Sequence, residues 1–313
     1  MGYVYMALAT LLFSSMEIAL KMVSGHFNTV QINFTRFCIG GLLLLPLAWR
    51  ILRQRGLRLD LAALRSFAAL GFLCCVVSMT FFQLAVERAN ASVVAVLFSC
   101  NPVFVFLFSF LILRIAILPK QIAALLIVCT GMIVIINPLH TFISPSGIVF
   151  SLLAMITFAL YAVLGTRQCE KYSATVVTCG GFLFGSLEML LLVGLSHIGP
   201  LADLLVALNL PMFARIPLFS GYTPDIIPAM LFICVGVTGV GFASYFMAMQ
   251  LTSPLKASLV FFLKPALAPV LAFFILSEPI PLNMKIGIAL IIAGSLVSLL
   301  PSLNPELPKL PKE

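Results

Sequence analysis

Five ionisable side chains stand inside long apolar runs of this chain: Glu17, Lys21, Arg36, Glu188 and Lys264. Asn33 lies three residues before Arg36. Charge at membrane depth costs at least about 2.5–3.5 kcal/mol per residue, so such groups turn toward protein or a water-filled cavity and mark a solute or ion pathway by default. The chemistry open to this set is recognition. An ammonium or guanidinium holds an anionic group; a carboxylate holds a cation or a proton. Covalent chemistry is not indicated, because the chain has no His-Glu-x-x-His, no Gly-x-Ser-x-Gly and no phosphate loop. Gly236-Val237-Thr238-Gly239-Val240-Gly241 lies inside an apolar run with no preceding strand and reads as helix packing or flexibility. His26, His140 and His197 fall at predicted helix ends without ligand spacing, so no metal or other cofactor is expected.

Helical spacing arranges these residues on faces. Thr10, Ser14, Glu17, Lys21 and Ser24 follow at steps of four, three, four and three, one polar stripe on the first apolar run. Glu17 and Lys21 are an (i, i+4) pair able to neutralise each other in part. Asn33, Arg36 and Gly40 share a face of the second run; Thr178, Gly181, Gly185 and Glu188 share one on the seventh. Depth counted from the run ends puts Lys264 near the midplane and the other four charges in the outer half, where they would line a vestibule open outward. The alternative is that these charges pair among themselves and only fix helix packing, with Lys21 and Arg36 snorkelling to the outer surface. Pro265, directly after Lys264, frees a backbone carbonyl, which means a kink or a cavity-lining site. Gly181-x-x-x-Gly185 is a close-packing motif.

The elements that position these residues follow from composition. Hydrophobic residues make up 62% of the chain and charged residues 9%, against roughly half and a quarter in soluble domains. Only a polytopic membrane protein fits. Apolar runs of about 20 residues lie near 3–24, 29–49, 66–86, 91–113, 119–137, 147–167, 175–197, 226–251, 255–276 and 283–301, each long enough to cross about 30 Å of hydrocarbon as a helix. Ten spans put both termini on one side. That side receives Arg50, Arg53, Arg55, Arg58, Arg65, Arg114, Lys120, Arg167, Lys171, Lys256, Lys309 and Lys312; the other receives Arg88, Arg215 and Lys285. The bias predicts cytoplasmic termini; the expected location is the inner membrane of a bacterial cell. The bias also makes the formal charge of +8 topological, with no nucleic-acid partner required. Seven of the eight cysteines fall inside apolar runs and Cys169 in a cytoplasmic loop, so no disulfide framework is implied.

The second half repeats the first. A step of 145 residues carries Gly2 to Gly147, Phe13 to Phe158, Phe37 to Phe182 and Gly40 to Gly185; a step of 163 carries Ala95 to Ser258, Pro102 to Pro265 and Gly131 to Gly294. None of the five intramembrane charges has a charged counterpart in the other copy. Five spans per copy force opposite orientations, the architecture of secondary transporters. The predicted fold is an all-α integral membrane protein of ten transmembrane helices in two inverted five-helix repeats, 1–140 and 145–304, with an external insertion at about 198–225. Within the insertion, the apolar stretch 201–210 is too short to span and predicts an interfacial helix, or a lid over the outer mouth.

The stretch from Ala257 through Lys264-Pro265 to Pro269, followed by Glu278, resembles the second-repeat pattern of EamA-type transporters of the drug/metabolite transporter superfamily. The first copy matches with Ala95, Asn101-Pro102 and Gly131, and departs at Ile115, which stands in the place of the glutamate. The opening residues are also similar to the small multidrug resistance proteins of that superfamily. Phe13 stands about where those proteins carry a proton-coupling glutamate, and Glu17 comes one turn later. The resemblance implies two five-helix repeats around a central cavity and export of amino acids, other metabolites or drugs. With charges of both signs, the expected solute is a small polar or amphipathic metabolite such as an amino acid, met by Glu17, Lys21, Asn33, Arg36, Glu188 and Lys264. The alternative is an importer or exchanger of an organic anion; a membrane-embedded receptor or enzyme is a third class. The expected partners are the solute and the lipid bilayer, with the protein a monomer or homodimer.

Overall fold

In lipid every backbone polar group must be satisfied within its own segment, and the apolar runs accordingly become helices. A computed structural model describes residues 2–114, 119–137, 144–251 and 259–299. Among these residues there is no β-strand, and seven helices are long and apolar enough to cross a membrane: Gly2–Val23, Thr29–Gln54, Leu61–Arg88, Ala91–Ile112, Pro145–Thr166, Ala174–Ser196 and Ile227–Tyr245. Three shorter apolar helices lie at Ile122–Ile135, Leu267–Leu276 and Leu282–Gly294. Ile115, His140, Lys256, Ala257, Ser258, Lys309 and Lys312 lie outside the described residues.

Several spans are interrupted where the sequence suggests continuity. The first divides at Ser15 into α1 (Gly2–Ser14) and α2 (Met16–Val23). α3 (Thr29–Gln54) starts from a capping box: Asn28 accepts from the Val30 amide at 2.8 Å, and Gln31 accepts from the Asn28 amide at 3.3 Å. The third span runs from α4 (Leu61–Gly71) through a π-helical segment, Phe72–Ser78, into α5 (Met79–Arg88). The fourth divides at Ser99–Cys100 into α6 (Ala91–Phe98) and α7 (Asn101–Leu113). α8 (Pro119–Ile136) and α9 (Pro145–Tyr172) follow, and α9 is long enough to take Cys169, expected in a loop, into its last turn.

α10 (Ala174–Ser196) leads into α11 (Gly199–Ala207), the short helix expected in the insertion. The eighth apolar run is α12 (Ile227–Leu231), a second π-helical segment Phe232–Gly241, and α13 (Phe242–Leu251). The glycine-rich stretch 236–241 is therefore helical, with the Thr238 hydroxyl donating to the Ile233 carbonyl at 2.9 Å. The last helices are α14 (Leu259–Leu276), with Pro265 and Pro269 inside it, and α15 (Leu282–Leu299).

Small residues set the helix seams, as close backbone packing in lipid requires. Gly71 of α4 lies against Gly181 and Gly185 of α10, where a Cβ would strike the Gly181 carbonyl. The same α10 packs on α3, with the Cys179 thiol donating to the Gly41 carbonyl at 3.4 Å. α8 and α15 meet through Gly131, Gly287 and Gly294.

Candidate functional site

The break at Ser15 turns α2 into a separate short helix packed against α5, α6, α12, α14 and the second π-helical segment. Glu17 is therefore enclosed, 0% exposed, with Ser14 equally buried beside the break. From α14 comes Lys264, 1% exposed, its ammonium 2.5 Å from Glu17 Oε1 and 5.5 Å from the centre of the Phe98 ring. α3 adds Asn33 and Arg36, both buried. The Arg36 guanidinium lies 4.6 Å from the Phe37 ring and directs Nη1 at the Met16 sulfur at 4.0 Å; the field of Glu17 reaches it. α5 adds Gln83, whose amide donates to Glu87 at 3.3 Å.

This cluster is buried yet incompletely paired. Among the described residues, Ser14 Oγ, Glu17 Oε2, both amide atoms of Asn33, Arg36 Nε and Nη2, and Gln83 Oε1 have no hydrogen-bond partner. Glu17 Oε1 is met by the Lys264 ammonium. A buried unsatisfied polar group typically costs about 1–3 kcal/mol, so such a concentration marks a place built to meet something polar.

The expected (i, i+4) pairing of Glu17 with Lys21 is corrected. Glu17 pairs across the fold with Lys264, and Lys21 turns outward along α2. Its ammonium donates to the carbonyls of Val86 at 2.8 Å, Glu87 at 3.3 Å and Ala89 at 2.9 Å, at the C-terminus of α5. Cations suit that end of a helix, where the carbonyls lack intrahelical partners. Two residues further on, Glu278 occupies the opposite end of the same break. Its carboxylate accepts from the Ala91 amide at 2.8 Å, the Ser92 amide at 3.0 Å and the Ser92 hydroxyl, at the N-terminus of α6. The connection between α5 and α6 is thus held by a cation from α2 and an anion from the chain after α14.

Glu188 stands apart from the cluster. It lies on α10 near Cys75, partly exposed, with Oε2 unpartnered among the described residues. The expected open vestibule is also corrected: Glu17, Asn33, Arg36 and Lys264 are shut off from solvent. One wall is aromatic, with Phe13 5.1 Å from Phe242, 6.0 Å from Tyr245 and 6.3 Å from Phe261, and Phe182 packed on both Phe37 and Phe242. On the other side the segment after α11 crosses the start of α3. Asn28 donates to the Met212 carbonyl at 2.7 Å, Gln31 donates to the Leu218 and Ser220 carbonyls at 3.1 and 2.8 Å, and the hydroxyls of Thr35 and Tyr222 lie 2.7 Å apart. Gly221, at φ +86°, lies so close to the His26 carbonyl that no side chain fits.

Gln83, Gln31 and Tyr222 were not singled out from sequence. Gln83 carries a legible signal, an amide near the end of an apolar run. Gln31 and Tyr222 acquire their roles only when the insertion folds over α3.

Comparison with known proteins places the arrangement. The chain matches the EamA-like transporter family over residues 1–137 and again over 145–300. It is 33% identical to an uncharacterised transporter of Clostridium kluyveri over 305 residues, covering 95% of this chain and 92% of that one. It is 28% identical to the protein PecM of Dickeya dadantii over 226 residues, 70% of this chain and 67% of that one. An uncharacterised transporter of Archaeoglobus fulgidus is 21% identical over 295 residues, 93% of this chain and 96% of that one. A crystal structure superposes with a TM-score of 0.64 at 18% identity, over 95% of this chain and 96% of that one, a likeness of fold. The match across both halves and the Clostridium kluyveri relative agree with the all-helical, apolar architecture: this chain is a multi-pass membrane protein that belongs to the EamA-like transporter family of the drug/metabolite transporter superfamily.

Proposed function

We propose that the protein is a secondary transporter that exports a small polar or amphipathic metabolite, such as an amino acid, by alternating access. The observation that carries this is the sealed cluster of Glu17, Asn33, Arg36 and Lys264, buried between contributions from both halves and rich in unpartnered polar atoms. Lys21, held by the carbonyls at the end of α5, and Glu188, on α10, stand outside this cluster. A protein with no solute to bind would gain by pairing or replacing these groups, since buried charges contribute little net stability.

Ten spans in two inverted repeats, 1–140 and 145–304, fit this function, because the site then lies where two oppositely oriented halves meet. Three features support the repeat. The shorter helices at 122–135, 267–276 and 282–294 fall on three of the ten apolar runs. π-helical segments recur at 72–78 and 232–241, in the third and eighth runs. Phe37 and Phe182, equivalent by the 145-residue step, pack against each other at 4.8 Å. With termini in the cytoplasm of a bacterial cell and the chain in its inner membrane, the strap over α3 faces outward and the conformation is occluded. The protein works as a monomer or homodimer.

A second reading, an importer or exchanger of an organic anion, is favoured by one observation: the cluster holds two cations, Arg36 and Lys264, and one carboxylate, Glu17.

The test is a proteoliposome screen of uptake and efflux over amino acids, purines, organic anions and cationic drugs, with and without a proton gradient. The expected result is flux of one solute class that Asn33→Ala reduces. Flux of a solute that is indifferent to Asn33→Ala, Arg36→Met and Lys264→Met alike would remove the site.

A further inference from the structure

Resting on the reading of the buried cluster as the solute site, we propose that Arg36 is the receptor for a carboxylate and that the transported solute carries one. Charge count comes first. Lys264 and Glu17 neutralise each other at 2.5 Å, which leaves Arg36 as a buried cation without an ion-pair partner among the described residues. At 1% exposure it does not snorkel to either surface. The groups around it are the thiols of Cys74, Cys75 and Cys234; Glu17 faces Lys264, and among the described residues Glu188 makes no ion pair with it. An isolated buried cation is among the most unfavourable groups a fold can hold, so a site that keeps one is matched to an anion.

Shape then narrows the anion. The unpartnered nitrogens of Arg36 are Nε and Nη2, while Nη1 faces the Met16 sulfur. Nε and Nη2 share one edge of the planar guanidinium and present two parallel N–H groups, the spacing that a carboxylate fills with its two oxygens. A lysine ammonium has no such edge. Asn33, one turn earlier on α3, has both amide atoms unpartnered, and Glu17 Oε2 is free on the facing helix. The amide nitrogen can donate to the same carboxylate. The amide oxygen and Glu17 Oε2 can accept from a hydroxyl or ammonium elsewhere on the solute. A single net positive charge suits one carboxylate better than a doubly charged phosphate ester.

The test uses the full-length protein in detergent micelles and begins without solute. Arg36→Met should melt no lower than wild type, whereas Lys264→Met, which strands Glu17, should melt lower. If Arg36→Met loses as much as Lys264→Met or fails to fold, Arg36 is a structural cation and the proposal is wrong. The second arm compares matched probes of one skeleton: leucine, 4-methyl-2-oxopentanoate and 3-methylbutylamine, with the same trio built on phenylalanine. The expected outcome is an upward shift of the wild-type midpoint by carboxylate-bearing members only, lost in Arg36→Lys, which keeps the charge but not the two-pronged edge. Leucine against its oxo acid then tells a zwitterionic source from a plain anion. A shift by the amine alone, or a carboxylate shift that survives Arg36→Lys, overturns the assignment. If that surviving shift is lost in Asn33→Ala, the site itself stands; if it survives there too, the site reading falls as well. Should no probe shift the midpoint, the ranking of the solute-free variants decides alone.

Discussion

Glu17 and Lys264 come from opposite halves of the chain and meet as one buried ion pair at 2.5 Å. Breaking such a pair from one side leaves an uncompensated charge, typically worth about 3–5 kcal/mol, whereas removing both partners together is close to neutral. Lys264→Met should therefore lower the thermal midpoint clearly, and Glu17→Gln with Lys264→Met should recover most of the loss. A double variant as unstable as Lys264→Met alone would mean that Lys264 is held by something other than Glu17. Transport separates the roles further: Glu17→Gln keeps size and hydrogen bonding but removes titration, and should flatten the pH dependence of solute flux while sparing assembly. Glu188→Gln, away from the cluster, should leave that profile intact. Much of this was legible from sequence, because a charge in an apolar run stands out whatever its partner. The partner was not. The (i, i+4) rule points Lys21 at Glu17, but a nearby helix end with free carbonyls is a competing partner that only the packing of α5 against α2 brings within reach.

At the scale of elements, the break between α5 and α6 in the first half is held by one residue from each half. Lys21 binds its carbonyl end and Glu278 its amide end. Capping interactions are each worth about 0.5–2 kcal/mol. Glu278→Ala should thus raise amide hydrogen exchange over 90–95 and lower the thermal midpoint, with Ser92→Ala giving a smaller effect. Unchanged exchange there would show that α6 is held by its packing alone. Glu278 was visible in sequence as part of the family pattern, but its task was not, since nothing in residues 88–92 announces that a distant carboxylate supplies the cap.

The strap formed by the segment after α11 over α3 is a second such case. Gln31 binds two of its carbonyls, and the Tyr222 hydroxyl lies 2.7 Å from that of Thr35. Gln31→Ala together with Tyr222→Phe should expose the chain around Arg215, already at the surface, to faster trypsin cleavage in the purified protein. Cleavage no faster than in wild type would assign the hold on this segment to Ser196, which binds Arg215 and Ile216 from α10.

For the whole molecule, orientation is the property on which the other readings turn. Arg50, Arg53, Arg55 and Arg58 are at the surface at one end, together with Lys171, which pairs with Asp60 at 3.5 Å. The Ala63 amide holds the Asp60 carboxyl below its usual range, with Lys171 adding to the effect, so this contact persists at neutral pH and weakens only as acid protonates Asp60. Basic residues resist crossing the membrane, and on that ground the sequence predicts a cytoplasmic placement for this end. Cys169 lies at this end, yet it is a poor reporter. It sits half-buried in the last turn of α9, and burial, with Glu170 beside it, pushes its thiol up to about 11, which leaves little thiolate to react at neutral pH. The exposed neighbour Glu170 is the better position, and Phe219, 89% exposed on the far side of α10, is its counterpart. With the native cysteines replaced, Glu170→Cys should resist a membrane-impermeant maleimide in intact cells and react once the membrane is opened. Phe219→Cys should react in intact cells from the start. The reverse pattern would put the arginine-rich end outside and make the strap over α3 a cytoplasmic cover, and solute would then leave the cluster in the opposite direction.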